Sequence, residues 1–157
     1  MSVNICTAYF SQIKYFYNND IPISVMNFDP RWYHNGMMTQ EEQFIDSRGI
    51  YNGLRCDPLI PSEDWLYTCM SPKWCKETPQ TCQFCKLYYN QLSILNFNEL
   101  MFRFSNLAEN MKQLLMLQRH PRICLMFSES QYRPCGQKYI IEKWFHENGK
   151  EILNYKN

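Results

Sequence analysis

The sequence predicts a three-layer, Rossmann-like α/β domain with a mostly parallel sheet and a zinc-organised loop inserted into it. Short, continuously apolar runs alternate with amphipathic segments, which is typical of a parallel sheet covered by helices. The apolar runs lack the polar alternation of a strand that has one face in water. A length of 157 residues suits one domain, residues 1–157, that buries about two-thirds of its unfolded surface.

The N-terminal part predicts two strands joined by a helix. Residues 3–9 (VNICTAY) are apolar and rich in strand formers. Ser11 follows as the predicted cap of a helix. The apolar face of that helix consists of Ile13, Phe16 and Tyr17. Residues 21–28 (IPISVMNF) form the second strand, which ends at Asp29 because a residue before proline favours an extended conformation.

The longest helical pattern lies in the second half of the chain. Residues 97–117 have apolar side chains at three- and four-residue spacing, and Asn96 or Asn98 can cap the start. These apolar side chains are Leu100, Phe104, Leu107, Met111, Leu114 and Leu115. The sequence therefore predicts one long amphipathic helix here, whereas residues 36–61 show a weak pattern and are predicted to be irregular.

Two strands and one helix complete the prediction. Residues 122–128 (RICLMFS) form a continuous apolar run, as expected for a strand that is covered on both faces. The segment QKYIIEKWFHENG predicts an amphipathic helix that stops at Asn148 and Gly149. The tail EILNY adds a last strand.

Candidate ligand-binding residues lie near the predicted strand ends. Ligands of open parallel sheets bind at the carboxyl ends of the strands, which directs attention to the segments around residues 9, 28 and 128. The predicted ligand-binding residues are Thr7, Tyr9, Asp29, Arg31, Trp32 and Arg133. The alternative for each charged or aromatic side chain is an ordinary position in solvent or at the rim of the core.

Cys135 and Glu129 are the predicted catalytic residues. A cysteine just before a helix start lies near unpaired backbone N–H groups and the positive end of the helix dipole, which favour the thiolate. Arg133 would strengthen this effect. The alternative is a small apolar residue packed under the helix, and the sequence identifies no histidine or aspartate as a base.

Four of the eight cysteines lie within residues 69–85 with the spacing C-x5-C-x6-C-x2-C. The final CQFC is a typical zinc knuckle, because two intervening residues allow both sulfurs to bind one ion. The predicted zinc ligands are Cys69, Cys75, Cys82 and Cys85. Cys56 or His34 could replace one of them, an iron–sulfur cluster is a lesser alternative, and all four could instead be unligated thiols. Cys6 and Cys124, each within a predicted strand, are expected in the core.

Four segments together resemble the YeaO-like family 488, a bacterial family of unknown function. They are TAYF, PISVMNFDPRWY, NGLRCDPLIP and ICLMFSESQYRPCGQKYIIEKWF, and they extend over most of the chain. In that family, a glutamate at a strand end is followed by Cys-His-Arg at a helix start. Glu129 and Cys135 keep this spacing, but Gly136 and Gln137 replace the His-Arg pair. The resemblance implies a cytoplasmic α/β fold with a family-like pocket, and no named reaction.

Composition and charge limit the function classes. The net charge of +1 argues against broad binding to polyanions. No stretch reaches the roughly 18 apolar residues of a membrane span, and the N-terminal residues lack a signal-peptide pattern, so the expected location is the cytoplasm. The predicted function is binding of, or action on, a small phosphorylated or nucleotide-like molecule. The alternative is an interaction module that contacts nucleic acid or a protein partner through the zinc loop and Lys73, Trp74, Lys76 and Lys86.

Overall fold

The computed structural model describes residues 3–27, 29–30, 33, 54–62, 78–128 and 136–156. The strands are Asn4–Tyr9 (β1), Asp20–Ser24 (β2), Arg122–Phe127 (β3) and Leu153–Asn154 (β4). They form one sheet in the order β2-β3-β1-β4, and all neighbouring strands run parallel. This arrangement confirms the predicted α/β class and the parallel sheet.

Three α-helices lie in the part of the chain that the structure describes. They are Gln83–Ser93 (α1), Phe97–Leu114 (α2) and Gln137–Glu147 (α3), and two short 3₁₀ helices span Phe10–Tyr15 and Asp57–Leu59. Asn96 is the cap of α2, because its side chain accepts a hydrogen bond from the Glu99 N–H at 3.0 Å. The sequence did not predict α1. Residues 83–85, which lie in the predicted zinc loop, belong to this helix.

The sheet separates two groups of buried side chains. Because side chains alternate along a strand, Ile5 and Leu125 point to one face and Cys6 and Met126 to the other. The first face packs against apolar residues of all three α-helices. The second face is covered by the first 3₁₀ helix together with Tyr33 and Tyr155. Both faces are therefore apolar, as the uniformly apolar strands predicted.

The segment after β1 differs from its prediction. It forms a 3₁₀ helix that begins at Phe10, so Tyr9 rather than Ser11 occupies the N-cap position. Ile13 is buried as predicted, but Tyr17 lies beyond the end of the helix and is exposed. The connection from β1 to β2 is short and must cross β3. A 3₁₀ helix rises farther per residue than an α-helix, so it covers this distance with fewer residues.

Two helices end in the same way with different residues. In α3, Gly149 has a positive φ of 80°, and the Lys150 N–H donates to the Phe145 carbonyl at 3.0 Å. In α2, Met116 has a φ of 54°, and the Leu117 N–H donates to the Lys112 carbonyl at 3.0 Å. Both are Schellman ends, so the predicted stop of α3 at Gly149 is confirmed, and Met116 occupies a position that favours glycine.

The outer edge of β2 is occupied by other parts of the chain. Ser24 donates its N–H to the Leu54 carbonyl and accepts from the Cys56 N–H, both at 2.9 Å. Pro22 has no N–H, and its carbonyl accepts from the Tyr33 hydroxyl at 3.1 Å. Proline is tolerated here because β2 is an edge strand.

Candidate functional site

The described elements that follow β1 and β3 in the chain lie on opposite faces of the sheet. β1 continues into the 3₁₀ helix on the second face, whereas β3 leads to α3, whose Ile140 and Ile141 pack on the first face. β1 and β3 are neighbours, and their last paired residues are Tyr9 and Phe127. A crevice is expected at this point of an open parallel sheet, so we call the region around the ends of β1 and β3 the switch crevice.

Tyr9 and Lys138 meet beside the switch crevice. The Lys138 ammonium lies 5.7 Å from the centroid of the Tyr9 ring, a cation–π distance. Lys138 also pairs with Glu142 at 3.3 Å on the partly exposed side of α3. The Tyr9 N–H donates to the Gln12 side chain at 2.8 Å, which holds the turn after β1. The sequence predicted Tyr9 but did not single out Lys138.

Thr7 lies inside the sheet, two residues before the end of β1. It is buried, and its hydroxyl donates to the Asn154 side-chain oxygen at 2.9 Å. Its carbonyl accepts from the Tyr155 N–H at 2.8 Å. The structure therefore places Thr7 where it joins β1 to β4, and does not bring it to the switch crevice.

Asp29 forms a closed polar cluster at the end of β2. Its side chain is 0 % exposed and accepts hydrogen bonds from the Ser24 hydroxyl and the Arg55 guanidinium. Arg55, 30 % exposed, also donates to the Met26 carbonyl at 2.9 Å. Burial of a carboxylate is costly unless it is paired and hydrogen-bonded, as the Asp29 side chain is here. The cluster closes the turn after β2 and fastens residues 54–56 beside it.

A cavity of about 270 Å³ adjoins this cluster on the outer side of β2. Its walls are mainly apolar and come from β2, residues 54–58 and α2. Arg55, Asp57 and Arg103 are its charged residues, and no ion pair joins Arg103 to another residue that the structure describes. Sequence analysis did not single out Arg55 or Arg103, because their proximity depends on how α2 packs beside β2.

Gln137 joins four parts of the chain near the start of α3. Its side-chain N–H group donates to the Val25 carbonyl at 2.6 Å and lies 3.2 Å from the Tyr88 hydroxyl. The Leu59 carbonyl is 3.3 Å away and also accepts from Tyr88. Burial raises the pKa of Tyr88, so this hydroxyl stays a neutral donor. Gln137 thus holds these parts of the chain together.

Gly136, directly before α3, has a backbone conformation that side chains disfavour. Its φ of 126° and ψ of −173° lie in a region that is essentially restricted to glycine. Its N–H donates to the Cys85 sulfur at 3.3 Å. Glycine at position 136 therefore has a local structural reason.

Two of the four predicted zinc ligands are described. Cys82 caps α1 and Cys85 lies in its first turn, and both side chains are buried. The N–H group that Gly136 directs at the Cys85 sulfur suits a thiolate. Among the described residues, no group of three or more His, Cys, Asp or Glu side chains could hold a metal ion, so Cys56 does not join this pair. Cys69, Cys75 and His34 lie outside the described residues.

Several other predicted positions also lie outside the residues that the structure describes. They are Arg31, Trp32, Glu129, Arg133 and Cys135 and, for the alternative function, Lys73, Trp74 and Lys76. Lys86 is described and lies exposed on α1. The roles predicted for these residues stay predictions.

Comparison with known proteins adds no relative. No family model, no curated protein and no solved structure matches the chain. The resemblance to the YeaO-like family 488 therefore stays a prediction based on the segments quoted above. No helix in the described part of the chain is long and apolar enough to cross a membrane.

Proposed function

We propose that the protein binds a small phosphorylated or nucleotide-like molecule at the switch crevice. The observation that supports this most directly is the contact between the Lys138 ammonium and the Tyr9 ring, 5.7 Å apart. It lies at the end of β1, next to β3, and the described elements that follow these two strands lie on opposite faces of the sheet. An aromatic ring offers a stacking surface for a base, and a lysine beside it offers a charge for a phosphate.

Two further features favour an anion at this position. Lys138 lies in the first turn of α3, where the helix dipole adds positive potential. Its partner Glu142 is 39 % exposed, so their ion pair is weak and a phosphate can replace it at little cost. Cys135 and Glu129, next in sequence to Gly136 and Ser128, are the proposed catalytic residues if a reaction occurs. We also propose that the chain is a member of the YeaO-like family 488.

We also propose that Cys69, Cys75, Cys82 and Cys85 hold one structural zinc ion. The support is the joint burial of Cys82 and Cys85 at the start of α1 and the N–H group that Gly136 directs at the Cys85 sulfur. Four thiolates would leave no open position on the ion, so it would stabilise the fold and would not activate water.

Calorimetric titration with AMP and with inorganic phosphate tests the binding proposal. Lys138→Gln should weaken the affinity for both by about tenfold or more, because a charge-assisted contact is lost. Lys143→Gln is the matched control: Lys143 is on the same helix, pairs with Glu147 at 4.0 Å and lies 4.9 Å from the Tyr89 ring. It should leave the affinity within about twofold of the original value.

Tyr9→Leu separates base stacking from phosphate binding. It should weaken AMP binding by about tenfold and leave phosphate binding little changed, because stacking contributes roughly 1–3 kcal/mol per base. Absence of binding to both probes would reject the proposal. Binding of a single-stranded oligonucleotide that survives Lys138→Gln but is lost in a Lys73→Glu, Lys76→Glu variant would favour the interaction module instead.

A further inference from the structure

Cys6 and Cys124 face each other across the two central strands. They are register partners in β1 and β3, and their sulfur atoms are 3.3 Å apart with both cysteines reduced. Adjacent strands place paired Cα atoms about 4.8 Å apart, within the range of about 4.4–6.8 Å that a disulfide requires. The sulfurs need to approach only to about 2.05 Å. Little backbone movement would therefore join them.

The surroundings distinguish the two thiols. The hydrogen bond between the two thiols lowers the pKa of Cys6, burial opposes this shift, and the nearby Arg122 guanidinium lowers the pKa further. Burial raises the pKa of Cys124. Arg122 is itself held by Asp20, whose carboxylate lies 3.0 Å from Nε and 2.9 Å from Nη2. Cys6 is therefore the better nucleophile, and Cys124 is placed to attack second.

The C-terminal segment covers this pair on the second face. Cys6 and Cys124 are only 2 % and 0 % exposed, and Tyr155 belongs to the same buried group. The Tyr155 hydroxyl donates to the Tyr15 carbonyl at 2.9 Å, and its ring lies 4.8 Å from that of Phe16. β4 beside it has only two residues. Such a short edge strand opens at a lower free-energy cost than the central strands.

We propose that Cys6 and Cys124 form a reversible disulfide between β1 and β3, with hydrogen peroxide as the oxidant. The Cys6 thiolate attacks a peroxide oxygen, the O–O bond breaks, and a sulfenic acid forms with release of one water after proton transfer. Cys124 then attacks the Cys6 sulfur, the S–S bond forms and a second water leaves. Two thiols are oxidised by two electrons in total, and one peroxide is reduced to two waters.

Peptide mapping of the native, reduced, full-length chain after brief peroxide treatment tests the proposal. Remaining thiols are alkylated before digestion without reductant. Trypsin releases Cys6 as the one cysteine of residues 1–14, but Arg133 precedes a proline, so Cys124 and Cys135 share a tryptic peptide. Additional cleavage after Phe127 separates them. We expect a peptide linking Cys6 to Cys124 that dithiothreitol separates into its two halves.

Two matched variants test the route of access. Tyr155→Ala removes the cover and should accelerate formation of the linked peptide by about fivefold or more, because the open state becomes more populated. Leu153→Ala changes a β4 side chain that is 71 % exposed and should leave the rate within about twofold. A linked peptide that is absent from the native chain, or that forms only after unfolding in guanidinium, would overturn the proposal. An unchanged rate in Tyr155→Ala would overturn the access route.

Discussion

The Gln137 side chain donates a hydrogen bond of 2.6 Å to the Val25 carbonyl and so joins the first turn of α3 to the chain just beyond β2. Gln137→Leu keeps the volume but removes the donor, leaving the Val25 carbonyl unsatisfied in a part-buried position. We expect the free energy of unfolding to fall by about 1–3 kcal/mol. Urea denaturation followed by circular dichroism measures this change.

Gln113→Leu is the control for that experiment. Gln113 is exposed on α2 and bonds only across one helical turn, to Glu109 at 3.1 Å. Its replacement should change the free energy of unfolding by less than about 0.5 kcal/mol. Equal effects of the two substitutions would show that the contacts of Gln137 do not stabilise the fold.

The ends of α2 and α3 lead to a prediction of increased stability. Met116 has a positive φ and is 87 % exposed, so Met116→Gly relieves backbone strain without losing packing. We expect a gain of about 1 kcal/mol in the free energy of unfolding. The reverse change at the equivalent position, Gly149→Ala, should cost about 1 kcal/mol. Thermal denaturation of both variants checks the opposite signs, and a lower melting temperature for Met116→Gly would contradict the prediction.

Alkaline pH should destabilise the protein partly through Cys56. Burial raises the pKa of this thiol from 9.0 to about 11, the Leu59 N–H and Arg103 oppose the shift, and Asp57 adds to it. The folded chain therefore holds this proton more tightly than the unfolded chain. The contribution to stability is complete below pH 9.0 and is lost as the pH rises toward about 11, in total about 2–3 kcal/mol.

Cys56→Ala isolates this contribution. The variant should lose some stability at neutral pH through lost packing, but its free energy of unfolding should fall less steeply between pH 9 and pH 11. Denaturant titrations at several pH values measure both slopes. Parallel slopes for the variant and the original chain would mean that Cys56 does not titrate in this way.

Metal analysis tests the proposed zinc site. We expect about one zinc ion per chain by elemental analysis and native mass spectrometry, and a lower melting temperature after chelation. Cys82→Ser and Cys85→Ser should each reduce the bound metal strongly. Cys56→Ser should retain it, because Cys56 does not join these two side chains in the described structure. A reduced, freshly purified chain without metal, or one whose melting temperature is unchanged by chelation, would reject the site.

Sequence patterns predicted the strands and the helix that are specified by the spacing of nearby apolar residues. The apolar runs located β1 and β3 within a residue or two, and the spacing from Leu100 to Met111 located α2. The helix α1 was missed because its cysteines suggested a metal loop. Its buried residues Phe84, Tyr88 and Leu92 nevertheless have the four-residue spacing of a helical face.

The remaining features depend on contacts between distant parts of the chain. The sheet order places β3 between β2 and β1, and no local pattern specifies which strands become neighbours. The pairing of Cys6 with Cys124 and the approach of Lys138 to Tyr9 follow from that order and from the register. The strand-end rule directed attention to the end of β1, where the proposed site lies, but it could not identify Lys138.

The hydrogen bonds along the outer edge of β2 also limit self-association of this protein. With Pro22 lacking a donor and the backbone of Ser24 already bonded to Leu54 and Cys56, a neighbouring chain finds little unpaired backbone there on which to add a strand. Edge-to-edge stacking on β2 would first require residues 54–56 to detach. Loosening that segment should therefore promote aggregation before it unfolds the sheet.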